Sequence, residues 1–298
     1  MTLRRFCSAA FVLLVIAGSF RDSRDAALGA SPGVLVADLH VHPFPGDGVL
    51  TVWQLQREAS RRGVDVIAVA GHNNRVALTL AHALRLFSDA PVTIESQELT
   101  TPGFHIVAVG VRTMIDWRLD VPGAVRAIHA QGGAAIAAHP VPLAWKPVDD
   151  ESLRALDGVE VAHPMAQRTG KWRRELDAFF AQARAANPDV APIGSTDFHV
   201  TGPLGLCRTY LLTSDRSPAG AIDAIREGRT VAADQYGRLY GSPDHIVEVQ
   251  RHLDSRPPQT EVRPLDRFLA LGALLALAAT IGVRVGPSVA NFSHEHQT

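Results

Sequence analysis

Histidines and carboxylates of this chain fall repeatedly where a short apolar run stops. His40 and His42 close one run in Asp38-Leu-His-Val-His, and Asp197 and His199 close another in Gly-Ser-Thr-Asp-Phe-His. Side chains two apart on a strand point to one face, so each pair can converge. His72 ends a run in Val-Ala-Gly-His-Asn, Glu98 follows one in Glu-Ser-Gln-Glu, and His139 ends one in Ala-Ile-Ala-Ala-His-Pro. His105 instead opens a run, in Gly-Phe-His-Ile. Imidazole and carboxylate suit Zn, Mn or Fe, and one carboxylate can bridge two cations. Cations held close together activate water and polarise an ester oxygen. A lone histidine is usually a packing residue, and His82, His129, His245, His252, His294 and His296 are read that way. A whole set at successive run ends has no packing explanation.

The elements that must position these residues alternate along the chain. Apolar runs at 34–39, 64–70, 92–95, 106–109, 134–138, 159–161, 191–193 and 209–212 read as strands. Amphipathic stretches at 51–62, 75–87, 122–131, 151–156, 171–186 and 218–227 read as helices, with Gly63 and Gly132 after helix ends and Pro122 and Pro218 at starts. Repeated βα units imply a parallel sheet covered by helices, open or closed. Such folds put their ligand sites at the carboxyl ends of the strands, where most of the candidate ligands map. His105 sits at a strand start. Its strand must therefore run the other way, or its loop must fold inward.

Composition excludes several classes. The 298 residues carry 29 basic and 30 acidic side chains, a net charge of -1. No basic footprint for nucleic acid follows from that balance. Cys7 and Cys207 are too few for a disulfide framework, and no P-loop or His-Glu-x-x-His motif is present. Arg4 and Arg5 precede an apolar stretch at 6–20 followed by small residues, the pattern of a secretory signal or a retained anchor. Either reading places the catalytic residues outside the cytoplasm. Residues 268–283 are apolar all round, which predicts a transmembrane helix over 265–285. The expected organisation is signal or anchor with linker (1–33), catalytic domain (34–240), Pro-rich linker (241–264), span (265–285) and tail (286–298). The domain is then expected at the periplasmic face of the cytoplasmic membrane, tethered by its C-terminal helix.

Asp38-Leu-His-Val-His, Gly71-His-Asn, Glu98, His139-Pro and Asp197-Phe-His, in this order, resemble the successive motifs of the PHP (polymerase and histidinol phosphatase) family. The resemblance covers about residues 34–235. It implies an α/β fold, a distorted (β/α)7 barrel, with two or three divalent metal ions at its C-terminal mouth and phosphoester hydrolysis as a known activity. Carried over by motif, His40, His42, Asp197 and a bridging Glu98 would bind one metal. Glu98, His105 and His139 would bind a second. His72 and His199 would bind a third or hold the substrate phosphate, and with Asp197 they are the expected catalytic residues. Asp47, in Pro-Gly-Asp-Gly, matches a family turn facing the third position. Its alternative is an ordinary Asp-Gly turn. The family usually has Asp-His where this chain has Gly71-His72, so the acidic partner of the third position is either missing or supplied by Asp47.

Around this set, Asp38 is a candidate to orient a ligand imidazole. His163 is a candidate substrate contact, and Arg75 and Arg168 are candidate phosphate clamps. The expectation is a metal-dependent hydrolase of a small-molecule ester, most simply a phosphoesterase. The same site could cleave an amide, carbamate or carboxylic ester. A non-catalytic metal-binding ectodomain is the third reading.

Overall fold

The structure, a computed structural model, describes residues 33–73, 91–164, 170–200 and 203–254, with isolated positions at 6, 7, 9, 10, 13, 79, 272, 275, 276 and 279. Ten strands form one mixed sheet in the order β10-β9-β8-β1-β2-β3-β4-β5-β6-β7. They are β1 (Leu35–Val41), β2 (Val66–His72), β3 (Val92–Thr100), β4 (His105–Val109), β5 (Ala134–Ala137), β6 (Gly158–Ala162), β7 (Ala191–Gly194), β8 (Arg208–Leu211), β9 (Thr230–Ala233) and β10 (Leu239–Tyr240). Pairs β1–β2, β2–β3, β5–β6 and β6–β7 are parallel. Strand β4 runs antiparallel to both β3 and β5. That reversal resolves the position of His105. The start of β4 lies beside Thr100, at the edge where its neighbours end.

The sheet curls into a nearly closed barrel. Its seam, between β7 and the β8–β9 hairpin, is tied by side chains. The Gly194 N–H donates to Thr209 Oγ1 (3.0 Å), the same hydroxyl donates to the Gly194 carbonyl (2.9 Å), and Thr230 Oγ1 donates to the Pro192 carbonyl (3.0 Å). A Cβ at Gly194 would collide with the Arg208 carbonyl, so only glycine allows this approach.

Alternation divides the core. Leu35, Ala37, Leu39, Val66, Ala68, Ala70, Val107, Val109, Ile136 and Ile193 pack in the interior with Ala221, Ile222 and Ile225 of helix α5 (Pro218–Arg226). That helix packs at the end of the barrel opposite His105, where Ile222 meets Gly110 just after β4. The intervening residues form two outer layers. Val36, Ile67 and Val69 pack with Val52, Leu55 and Ala59 of α1 (Val52–Arg61). Ile106, Ala108, Ala135 and Val159 pack with α2 (Val121–His129), α3 (Asp150–Ala155) and α4 (Gly170–Ala186). Thr51 opens α1 with a reciprocal capping box to Gln54, and Asp120, Asp149 and Ser217 cap α2, α3 and α5.

Helix α6 (Pro243–Asp254) corrects the linker expected over 241–264, since most of its first half is helical and Val249 packs in the outer layer. Strands β9 and β10 were likewise unforeseen. The helix expected at 75–87, the apolar stretch at 6–20, the span at 265–285 and both Arg75 and Arg168 lie almost wholly outside the described residues. Among the described residues, no helix is long and apolar enough to cross a membrane.

Candidate metal centre

A one-residue bulge in β1 aims the first histidine pair. Ala37 and Asp38 pair with Val66 and Ile67, but Val41 pairs with Val69, so β1 carries an extra residue. Leu39 still packs in the interior, whereas Val41 packs in the outer layer. The bulge thus inverts the alternation, and His40 and His42 both turn inward over the barrel mouth. Two other candidate ligands follow strand ends with left-handed backbones, His139 (φ 30°) and Asp197 (φ 49°). Non-glycine residues seldom adopt this conformation unless neighbours hold them there.

Here the neighbours are two buried carboxylates. Glu160 accepts the His139 N–H (2.6 Å), and Asp38 accepts the Thr196 N–H (3.0 Å), its hydroxyl (2.5 Å) and the Gly205 N–H (2.8 Å). Asp38 therefore anchors the turn carrying Asp197 rather than an imidazole, which corrects its expected role. Burial pushes its carboxyl up to about 6, against the pull of these hydrogen bonds.

The ligand-type atoms fall into three groups, each within 4.8 Å: His40, His42, Glu98 and Asp197; Glu98, His105 and His139; and His42, Asp47, His72 and His199. Glu98 is fully buried and divides its oxygens. Its Oε1 lies 2.9 Å from His105 Nδ1 and 3.3 Å from His139 Nε2. Its Oε2 lies 3.4 Å from His40 Nε2, 3.3 Å from His42 Nε2 and 2.7 Å from His72 Nδ1. Asp197 Oδ1 stands 3.3 and 3.0 Å from the Nε2 atoms of His40 and His42. Asp47 Oδ2 stands 3.1 Å from Nε2 of both His72 and His199. Asp47 thus sets a carboxylate beside His72 and His199, where the expected acidic partner is missing at Gly71. Its turn is pinned by Phe44 N–H to the Leu50 carbonyl (2.7 Å) and Val49 N–H to the His199 carbonyl (3.0 Å).

His163, at the end of β6, is buried with Nε2 3.6 Å from Asp197 Oδ2. Hence every expected metal ligand reaches one mouth, as does His163, although it joins none of the three groups; Arg75 and Arg168 lie outside the described residues. Sequence reasoning missed Glu160 and Thr100. Glu160 accepts from His40 Nδ1 (2.9 Å), and Thr100 Oγ1 sits 2.5 Å from His72 Nδ1.

These partners test whether the residues suit metal ions. His40, His42, His72 and His199 each have Nδ1 beside an acceptor: Glu160, Asp47, Thr100 and the Asp197 carbonyl respectively. A proton held on Nδ1 leaves the Nε2 lone pair facing inward, as in metal-binding histidines. Two such lone pairs, on His40 and His42, face each other at 3.0 Å. Buried Glu98 Oε2 and Asp197 Oδ1 satisfy no hydrogen-bond geometry. Converging buried acceptors are costly unless a cation or protons sit among them.

In the metal-free protein, protons take that place. Burial alone would push the His42 imidazole down, but Asp197, Asp47 and Glu98 outweigh it and raise it to about 10. His72 rises to about 9, where Asp47 and Glu98 overcome burial. Burial would raise Glu98 and Asp197, yet His40 and its neighbours hold both well below the usual carboxylate range.

The fold is of the PHP type. A two-domain Bacteroides vulgatus protein containing a predicted PHP-like metal-dependent phosphoesterase superposes on this chain with a TM-score of 0.58 and 19% identity, over 78% of this chain and 74% of that one. PsfC from Pseudomonas syringae superposes with a TM-score of 0.45 and 15% identity, over 75% and 99%. In sequence, an uncharacterised Methanocaldococcus jannaschii protein is 30% identical over 138 residues, which span 42% of this chain and 80% of that protein. The chain belongs to the same family as that archaeal protein. No family model matches it.

Proposed function

We propose that the chain is a metal-dependent hydrolase, and specifically a phosphoesterase acting on a small-molecule ester. One observation carries this reading: buried Glu98 presents a separate oxygen to each of two ligand groups. His40, His42 and Asp197 would hold one divalent cation with Glu98, and His105 and His139 would hold a second. Zn, Mn and Fe suit these donors. Bound there, the cations supply charge that acidifies water and draws electrons from the ester.

The chain's own groups do the rest. Asp47, His72 and His199 line the outer part of the mouth, with side chains 44%, 35% and 29% exposed. They would take a third cation or grip the substrate phosphate, and His199 donates its Nδ1 proton to the Asp197 carbonyl (2.9 Å), which keeps Nε2 outward. His163 Nε2 faces Asp197 Oδ2 and would steady that carboxylate. Export and a tether over 265–285 remain part of the proposal, resting on the apolar sequence at both ends.

The full-length chain, loaded in turn with Zn, Mn or Fe, should hydrolyse an aryl phosphate ester. His40→Ala and Asp197→Ala should abolish turnover. Parallel assays on aryl carboxylate esters and amides fix the bond type. Unchanged phosphatase activity in both variants would overturn the proposal. Retention of the chain in membranes after alkaline carbonate washing tests the tether, and release into the wash would refute it.

A further inference from the structure

The carboxylate that sequence reasoning missed does more than hold one imidazole. Glu160 lies midway along β6, fully buried, on the interior side of a strand whose other side packs Val159 and Val161 in apolar clusters. A carboxylate in such a place must be satisfied by neighbours. Its partners come from three separate strand ends. Oε1 accepts from His40 Nδ1 (2.9 Å) and from the Ser195 hydroxyl, and Oε2 accepts from the His139 backbone N–H (2.6 Å). His40 belongs to one ligand group and His139 to another. Ser195 lies two residues before Asp197, a member of the first group.

We propose that Glu160 is a positioning residue for both metal positions at once, a carboxylate behind the ligands that mirrors the bridging Glu98 in front of them. Its contact with His40 keeps the proton on Nδ1, so Nε2 faces the cation, and its negative charge makes that imidazole a stronger donor. Its contact with the His139 N–H holds a backbone at φ 30°, a conformation that residue would otherwise leave, and so keeps the His139 ring over Glu98. One side chain thereby ties the occupancy of two positions together. The inference rests on the metal reading of the site.

The test uses the full-length chain and Co²⁺, whose ligand-field spectrum reports its donors. Affinity is read by competition with a chromophoric chelator. Wild type should bind at least two Co²⁺. Glu160→Gln keeps size and shape but loses the charge and one acceptor. It should weaken binding at both positions by about 10–100-fold, the range found when a ligand's supporting partner is removed, and shift the Co²⁺ spectrum. Ser195→Ala removes only the third partner of Glu160 and leaves its contacts with His40 and His139, so both affinities should fall far less than in Glu160→Gln. Circular dichroism of each metal-free variant checks folding. Should Glu160→Gln not fold, Glu160→Asp, which keeps the charge but cannot span both partners, is expected to lose one position and retain the other. Two-site binding by Glu160→Gln with wild-type affinity and spectrum would overturn the proposal and leave the metal reading intact. Equal losses in Ser195→Ala would also overturn it, since general packing would then be responsible. Absence of Co²⁺ binding by wild type would overturn the metal reading and the proposal with it.

Discussion

Replacing Glu98 by Ala should cost more metal than replacing any single histidine. The reason is geometric. One oxygen stands within 3.3 Å of the His105 and His139 nitrogens, and the other within 3.4 Å of those of His40 and His42. Zinc sites with four ligands bind with about 10–16 kcal/mol of apparent free energy, or about 3 kcal/mol for each ligand. With about 1.4 kcal/mol per tenfold, the loss of one ligand weakens a site roughly 100-fold. Glu98→Ala removes a ligand from both groups, so both should weaken by that factor, whereas His105→Ala should weaken one and spare the other. Chelator competition with Zn²⁺ or Co²⁺, read beside elemental analysis at a fixed free-metal concentration, separates these cases. Expected are near-complete loss of metal in Glu98→Ala and one retained ion in His105→Ala. Glu98→Gln, which keeps the volume of the side chain, guards against misreading a folding defect. A Glu98→Ala protein that holds two ions at wild-type affinity would show that the bridge lies elsewhere.

Two further expectations concern other parts of the mouth. The raised values of His42, about 10, and His72, about 9, lie above the ordinary 6.5, so their pairing stabilises the metal-free protein fully below that value and is lost as pH rises through 9 and 10. The metal-free melting temperature should therefore fall between pH 7 and 10 while metal affinity, which displaces those protons, climbs; a flat melting curve over that interval contradicts the proton-holding role. Gly48→Ala would drive a Cβ into the His42 carbonyl and push the Asp47 turn away from His72 and His199. Urea unfolding should show a loss of at least about 3 kcal/mol, the upper end for overpacking, together with loss of any third ion, and an unaltered variant would mean that the turn yields freely.

Most of the convergence could be read from the sequence because the candidate ligands sit at strand ends, where apolar runs break visibly. His40, His42, His72, Glu98, His139 and Asp197 each interrupt or terminate such a run, and all of them meet. The parts that were not legible depend on pairing across the sheet. A bulge in β1 has no local signature, since it is defined only by register against β2. The reversal of β4 was open between two possibilities until its antiparallel ladders were seen. Asp38 seemed suited to an imidazole but meets Thr196 and Gly205, which lie far away in sequence. Glu160 did carry a signal, a carboxylate flanked by Val159 and Val161 in a strand with no polar face. A charge there demands a buried partner, and His40 was the nearest candidate in chemical terms. Strands β9 and β10 and helix α6 escaped notice because their apolar stretches are short and Gly237, Gly241 and Pro243 read as loop.

Burial orders the three groups in a way that spacing alone could not. His40 and His42 are fully buried, and so is Glu98, whereas Asp47 is nearly half exposed. His42 is the hinge between the two environments. Its Nε2 faces the buried group and its Nδ1 lies 3.0 Å from Asp47 Oδ1. A neutral imidazole has one lone pair, so His42 can serve only one cation. If Nε2 serves the buried group, the proton on Nδ1 is donated to Asp47, and the outer position is left with Asp47, His72 and His199 as its own ligands. That position then has fewer donors, more water and a carboxylate already engaged by the neighbouring ring. The mouth thus divides between two inner ligand-type groups that share buried Glu98 and an outer group open to solvent. Under the proposed function, a substrate arriving from solution would meet the outer residues before it reaches the inner groups.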